Sequence, residues 1–152
     1  MIGASAMTTM SGLDYMLALK DGTVPAPPIV ALMNMELTEV EPGAVTFVAQ
    51  PDESHYNPIG AVHGGFACTV LDSVTGCAVQ TTLAHGFGYT SLEIKVNYLA
   101  GLSATTGPLT AVGRVIKPGK RVAFAEGTLT DSSGKVVATA SSTLLVFPLP
   151  VG

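Results

Sequence analysis

Apolar and polar positions change their period several times along the chain, and each period names an element. Residues 1–11 carry no such pattern, and their small side chains suggest a flexible end. From Gly12 to Lys20 apolar side chains fall at Leu13, Met16, Leu17 and Leu19, a short helical stripe stopped by Asp21-Gly22. Pro25-Ala26-Pro27-Pro28 then reads as an extended linker, because proline lacks an N–H and restrains the residue before it. Met33 to Glu41 and Val45 to Ala49 form a strand pair around the turn Glu41-Pro42-Gly43-Ala44. Residues 50–59, rich in Asp, Ser, Asn, Pro and Gly, form a loop. The stretch 63–83 holds no proline and almost no charge, and Phe66, Ala67, Val70, Leu71, Val74 and Ala78 recur at helical spacing. A helix so apolar on nearly all sides is buried, and it ends near Ala84-His85-Gly86. Beyond it the period drops to two. Thr90, Leu92, Ile94, Val96 and Tyr98 form one face of a strand, and Ser91, Glu93, Lys95 and Asn97 the other. Strands at 107–116, 121–130 and 135–147 follow, joined by turns at 117–120 and 131–134. One apolar helix among antiparallel strands is buried on most sides only if the sheet curves around it. The expected fold is therefore α+β, a single domain over 12–148 with an antiparallel sheet wrapped around one long central helix.

Composition adds an assembly state. Of the 152 residues, 12% are charged and 47% hydrophobic, so few charges are at hand to cover apolar surface. The excess predicts a homo-oligomer. Seven Lys and Arg residues in a chain of net charge -4 form no basic stripe, which argues against nucleic acid as a partner. The first residues lack the cationic and long apolar regions of a secretory signal. No run approaches the roughly 18 apolar residues of a membrane span, so a cytoplasmic location and no membrane partner are expected. Cys68 and Cys77 fit no zinc pattern and read as reduced, buried small hydrophobes.

Candidate chemistry gathers on the long helix. Asp72 is a carboxylate among apolar neighbours, which is costly unless it is partnered or faces a cleft. On a helical projection Gly64, Cys68, Asp72 and either Thr75 or Gly76 share a face of small side chains. That leaves room for a ligand to reach backbone and carboxylate together. His63-Gly64-Gly65 opens the helix, where the first amides have no internal partner and the dipole is positive. A developing oxyanion fits there, and two glycines let it approach. Asn57, ahead of Pro58, offers a side-chain amide in a turn. Ser91 lies on the polar face of its strand, which either lines a cleft or meets solvent. Lys117, Lys120 and Arg121 surround one turn, either as solvated cations or as a phosphate site.

Asn57-Pro58-Ile59-Gly60-Ala61-Val62-His63-Gly64-Gly65, followed by Asp72, resembles the signature of the phenylacetate-degradation-type (PaaI-like) hotdog thioesterases. Thr90 to Tyr98 and Gly113 to Glu126 are similar to that family's following strand and hairpin. The resemblance covers about residues 12–147. It implies the hotdog fold and hydrolysis of an acyl-CoA or aryl-acyl-CoA to free acid and CoA, with no metal or organic cofactor. Gly64 would give its N–H to the thioester carbonyl, with Gly65 beside it in the substrate site. Asn57 would polarise that carbonyl or position water, and Asp72 would act as general base or nucleophile. His63 would orient the loop or assist the leaving thiolate, and Ser91 would hold water near the carboxylate. In the family the carboxylate acts across a subunit boundary, so a dimer is the minimal active unit and a tetramer is expected. The same fold also serves non-catalytic acyl-CoA binding and enoyl-CoA hydration, the two rival readings.

Overall fold

The computed structural model describes residues 2–150. Helix α1 covers Ile2–Thr9, where the sequence suggested a flexible end; Met1 lies outside the described residues. Helix α2, Gly12–Lys20, is capped by the Ser11 side chain, which accepts from the Asp14 N–H. The proline segment departs from expectation. Pro28 opens a five-residue helix, α3, Pro28–Leu32. The reason is positional: proline is excluded from helix interiors but suits a helix's first turn, where its missing N–H costs nothing.

Strands β1 (Met35–Glu41) and β2 (Ala44–Ala49) form the expected hairpin around Gly43, whose φ of 78° suits a residue without a side chain. The long helix α4 runs Gly64–Gln80. Strands β3 (Phe87–Tyr98), β4 (Leu109–Lys117), β5 (Val122–Thr130) and β6 (Val136–Pro148) follow. All six strands join one antiparallel sheet in the order β1-β2-β4-β5-β6-β3, so β1 and β3 are its edges. Helix α4 packs against β2, β3, β4, β5 and β6, which is the hotdog arrangement. No helix among the described residues is long and apolar enough to cross a membrane.

Two glycines seat the helix. Gly113 of β4 and Gly127 of β5 are register partners beneath α4. A Cβ on residue 113 would lie 2.1 Å from the Val74 carbonyl oxygen, and one on residue 127 would lie 3.0 Å from the Leu71 side chain. Their bareness lets α4 approach the sheet closely. Val70, Leu71, Val74, Ala78 and Val79 are then wholly buried, along with Leu109, Ala111 and Leu129 from the sheet. Each large aliphatic side chain so buried contributes roughly 1.5–3 kcal/mol. That packing holds a helix whose Thr, Val and Gly content would not stabilise it alone. Thr75, also fully buried, satisfies its hydroxyl by donating to the Leu71 carbonyl at 2.9 Å.

Candidate active site

The candidate residues fall into two groups along α4. The first is at its N-terminus. His63 is the N-cap, and its Nδ1 accepts from the Gly65 N–H at 2.8 Å. Accepting at Nδ1 puts the neutral ring's proton on Nε2. The Phe66 N–H donates to the His63 carbonyl at 2.9 Å. The Gly64 N–H has no acceptor among the described residues, so the positive end of the helix presents one unspent donor.

The loop ahead of α4 is tied by Asn57. Its Oδ1 accepts from the Ile59 N–H at 3.1 Å and from the Ala61 N–H at 3.2 Å. The Asn57 N–H in turn donates to the Ala61 carbonyl at 2.8 Å, and Gly60 takes the positive φ, 78°, that the turn requires. With Oδ1 used for the loop, Nδ2 remains a donor without a partner among the described residues. Asn57, His63 and Gly64 line one cavity of about 410 Å³ together with Tyr98 and Leu102.

The second group centres on Asp72. The Ser91 Oγ donates to Asp72 Oδ1 at 2.7 Å. This corrects the alternation expected for β3. The pairing with β6 slips between Ser91 and Glu93, so Leu92 is an extra, bulged residue. Ser91 pairs with the fully buried Leu144, and Ile94 with the buried Ser142. The bulge therefore puts Ser91 on the helix-facing side with Ile94 and Val96, not with Glu93, Lys95 and Asn97. Re-aiming a side chain beside a site is a recognised use of a bulge.

Asp72 stands in the walls of two adjoining cavities of about 340 and 480 Å³, which share Met16, Leu19, Cys77 and Tyr89. The Cys77 thiol and the Tyr89 phenol in their walls stay neutral. Burial, above all, pushes the Cys77 thiol up to about 12, so it is protonated and unreactive at neutral pH. Burial likewise pushes the Tyr89 phenol up, and the neighbouring Cys77 and Asp72 add to the rise. Cys68 is raised by burial and then by the neighbouring Asp72 charge, which places it beside the carboxylate as the helical projection expects. Both cysteines are free and half-buried. Gln80 also lines the larger cavity, and its Oε1 is buried without a partner. No cluster of His, Cys, Asp or Glu among the described residues is arranged to hold a metal.

Strand β3 flanks both groups. Its Ser91 meets Asp72, and the Tyr98 hydroxyl donates to the Gly64 carbonyl at 3.1 Å. Tyr98 is a site residue that sequence reasoning missed; the alternating pattern marked it only as apolar. A Cβ on residue 64 would lie 3.2 Å from the Tyr98 ring, so glycine is what lets this tyrosine close over the helix start.

The structure does not bring every candidate together within one chain. Gly64 and Asp72 are eight residues apart on α4, about 12 Å at the helical rise. Lys117, Lys120 and Arg121 are exposed, and no ion pair among the described residues involves them. Lys120 lines a separate cavity of about 470 Å³ with Leu83, Phe87 and Val146, away from Asp72, Asn57 and Gly64.

Comparison with known proteins gives this geometry a context. The Thioesterase superfamily model matches residues 59–138. Acyl-coenzyme A thioesterase 13 of Homo sapiens is 30% identical over 109 residues, covering 70% of this chain and 76% of the human one. A phenylacetic acid degradation-related protein from Ralstonia eutropha JMP134 superposes with a TM-score of 0.79 at 28% identity, over 86% of this chain and 98% of that one. A Streptococcus mutans UA159 protein, solved bound to acetyl CoA, superposes with a TM-score of 0.70 at 26% identity, over 78% and 92% of the two chains.

Proposed function

Since the chain belongs to the thioesterase superfamily, and is thus a thioester hydrolase, we propose that its substrate is an acyl-coenzyme A and that Asp72 is the catalytic carboxylate. The observation that carries this reading is the Ser91–Asp72 hydrogen bond at the junction of two cavities. It fixes a carboxylate in a mostly apolar cleft with its second oxygen free for a water proton or for direct attack.

The thioester carbonyl is polarised by the unspent Gly64 N–H, assisted by the Asn57 Nδ2 donor. Asp72 takes a proton from water as the water oxygen attacks the carbonyl carbon. The oxyanion of the tetrahedral intermediate is held by the same two donors. The intermediate collapses by breaking the C–S bond, and CoA leaves as a thiolate that is then protonated. The His63 Nε2–H assists that departure, while Gly65 keeps the helix start open to substrate. One well-aimed oxyanion donor is worth about 3 kcal/mol, and a positioned base about 10²–10⁴-fold. A thioester needs little more, because its carbonyl is electrophilic and its thiolate leaves readily.

The separation of about 12 Å along α4 is too great for one carbonyl to touch both groups. The site is therefore shared between two copies, Gly64 and Asn57 from one and Asp72 and Ser91 from the other. The free edge of β3, which carries Ser91 and Tyr98, supports this reading. So do the exposed Leu92 and Leu99 at that edge. Lys117, Lys120 and Arg121 suit the phosphates of CoA. The test is thiol release from acyl-CoA by wild type and Asp72→Asn. A loss of about 10²-fold or more in a folded variant is expected; unchanged release would remove Asp72 from the chemistry.

A further inference from the structure

We propose that the cavity beneath α2 and α3 is the acyl pocket, and that it selects an uncharged apolar acyl group of modest size, one aromatic ring or a medium aliphatic chain, an inference that rests on the thioesterase reading and specifies its substrate. The cavity begins at Asp72 and Ser73 on α4, where the thioester carbon must sit. From there its walls are apolar. Met16 and Leu19 come from α2, Ile29 and Val30 from α3, and Leu37 and Phe47 from the first hairpin.

Size and charge decide what fits. About 340 Å³ is near the bottom of the roughly 300–1,000 Å³ range of small-molecule sites. That suits a ring or a medium chain and leaves a long chain in water. The cavity holds no buried cation: its Lys20 and Glu36 are both exposed, and of opposite sign. A terminal carboxylate on the acyl group would lose its water there and gain no partner. Of the uncharged polar groups in its wall, Ser73 donates its hydroxyl to the Thr69 carbonyl at 2.8 Å, and burial keeps Tyr89 and Cys77 protonated. The larger adjoining cavity is the polar side of the cleft, with Thr90, Ser91 and Gln80 in its wall. A substrate lying across Asp72 would thus pass from a polar to an apolar surround, as a thioester with a hydrocarbon tail requires. Helix α3 supplies the distinctive part of this wall. It packs on β1, and neither Ile29 nor Val30 is deeply buried, so substitutions there alter the cavity more than the core.

The experiment is a thiol-release series on acetyl-, octanoyl-, phenylacetyl-, palmitoyl- and succinyl-CoA with the full chain. Wild type is expected to favour octanoyl or phenylacetyl over palmitoyl and succinyl. Val30→Phe, which narrows the cavity, is expected to lower the ratio of octanoyl to acetyl kcat/KM about tenfold. Ile29→Ala, which widens it from an exposed position, is expected to move preference toward palmitoyl; this second variant keeps the test open if Val30→Phe misfolds. A ranking that neither folded variant changes, or a preference for succinyl-CoA, would overturn the acyl-pocket assignment while leaving the thioesterase reading intact. No release from any ester by folded wild type would overturn both.

Discussion

At the scale of residues, the carboxylate of Asp72 is held by one bond among the described residues, and that bond is short. The Ser91 hydroxyl can rotate, yet at 2.7 Å from Oδ1 it has one good acceptor. A hydrogen bond to a charged group is worth about 1.5–3 kcal/mol. Most of that value lies in orientation, because both side chains reach solvent and little desolvation is at stake. Ser91→Ala is therefore expected to lower kcat about tenfold or more with little change in KM or melting temperature, since a carboxylate free to turn is a poorer base. Ser91→Thr keeps the hydroxyl and is expected to retain more activity. Steady-state kinetics on the two variants decide the matter: equal rates for Ala and wild type would show that Asp72 is positioned by something else. Tyr98 stands in a similar relation to Gly64, through the backbone carbonyl of the residue whose N–H is the proposed oxyanion donor.

At the scale of elements, the site depends on how closely α4 sits on the sheet. Gly113→Ala would drive a methyl group to 2.1 Å from a backbone oxygen of α4, which cannot rotate away. Gly127→Ala meets only side-chain methyl groups at 3.0 Å and beyond, which can shift. Overpacking of this kind costs about 1–3 kcal/mol, and Gly113→Ala is expected at the top of that range or above it, Gly127→Ala near the bottom. Urea unfolding of both variants tests the ranking, and equal losses would mean that α4 can lift freely. Such features also mark the limits of sequence. The α4 stripe, the hairpin and the run β4 to β6 were legible, because each rests on local spacing, whereas β3, read in series before β4, instead crosses to pair with β6; the candidate composite of Asn57, His63, Gly64 and Asp72 came from the family resemblance. The seat formed by Gly113 and Gly127 was not, because a glycine in a strand carries no sign of what presses on it. The bulge at Leu92 has no local signature either, so strict alternation put Ser91 on the wrong face. The prolines before α3 signalled a break, when Pro28 in fact begins a helix.

At the scale of the whole molecule, the proposed reading divides the site of an apolar chain with few charges into two halves about 12 Å apart on one helix. The sheet ends in β3, whose outer edge has no partner strand among the described residues and which touches both of them. In the proposed isologous dimer a two-fold axis relates the two copies, so a strand edge that runs past both halves would present each to its opposite in the partner. Division of labour between copies has a consequence that single variants cannot reveal. Asp72→Ala removes the carboxylate but leaves the oxyanion donors intact. Asn57→Asp keeps the Oδ1 acceptor that ties the loop and removes the Nδ2 donor, leaving Asp72 intact. Each homodimer then has two damaged sites. A hybrid dimer has one site carrying both defects and one site built wholly from undamaged residues. Random pairing of two-fold dimers makes half of them hybrid, so the mixture is expected to recover about a quarter of wild-type thiol release. The measurement is activity after the two inactive variants are unfolded together and refolded, against each refolded alone. Recovery well above either homodimer requires a shared site. Absence of recovery in a mixture shown to contain hybrids would mean that Asp72 and Asn57 serve one substrate within one chain.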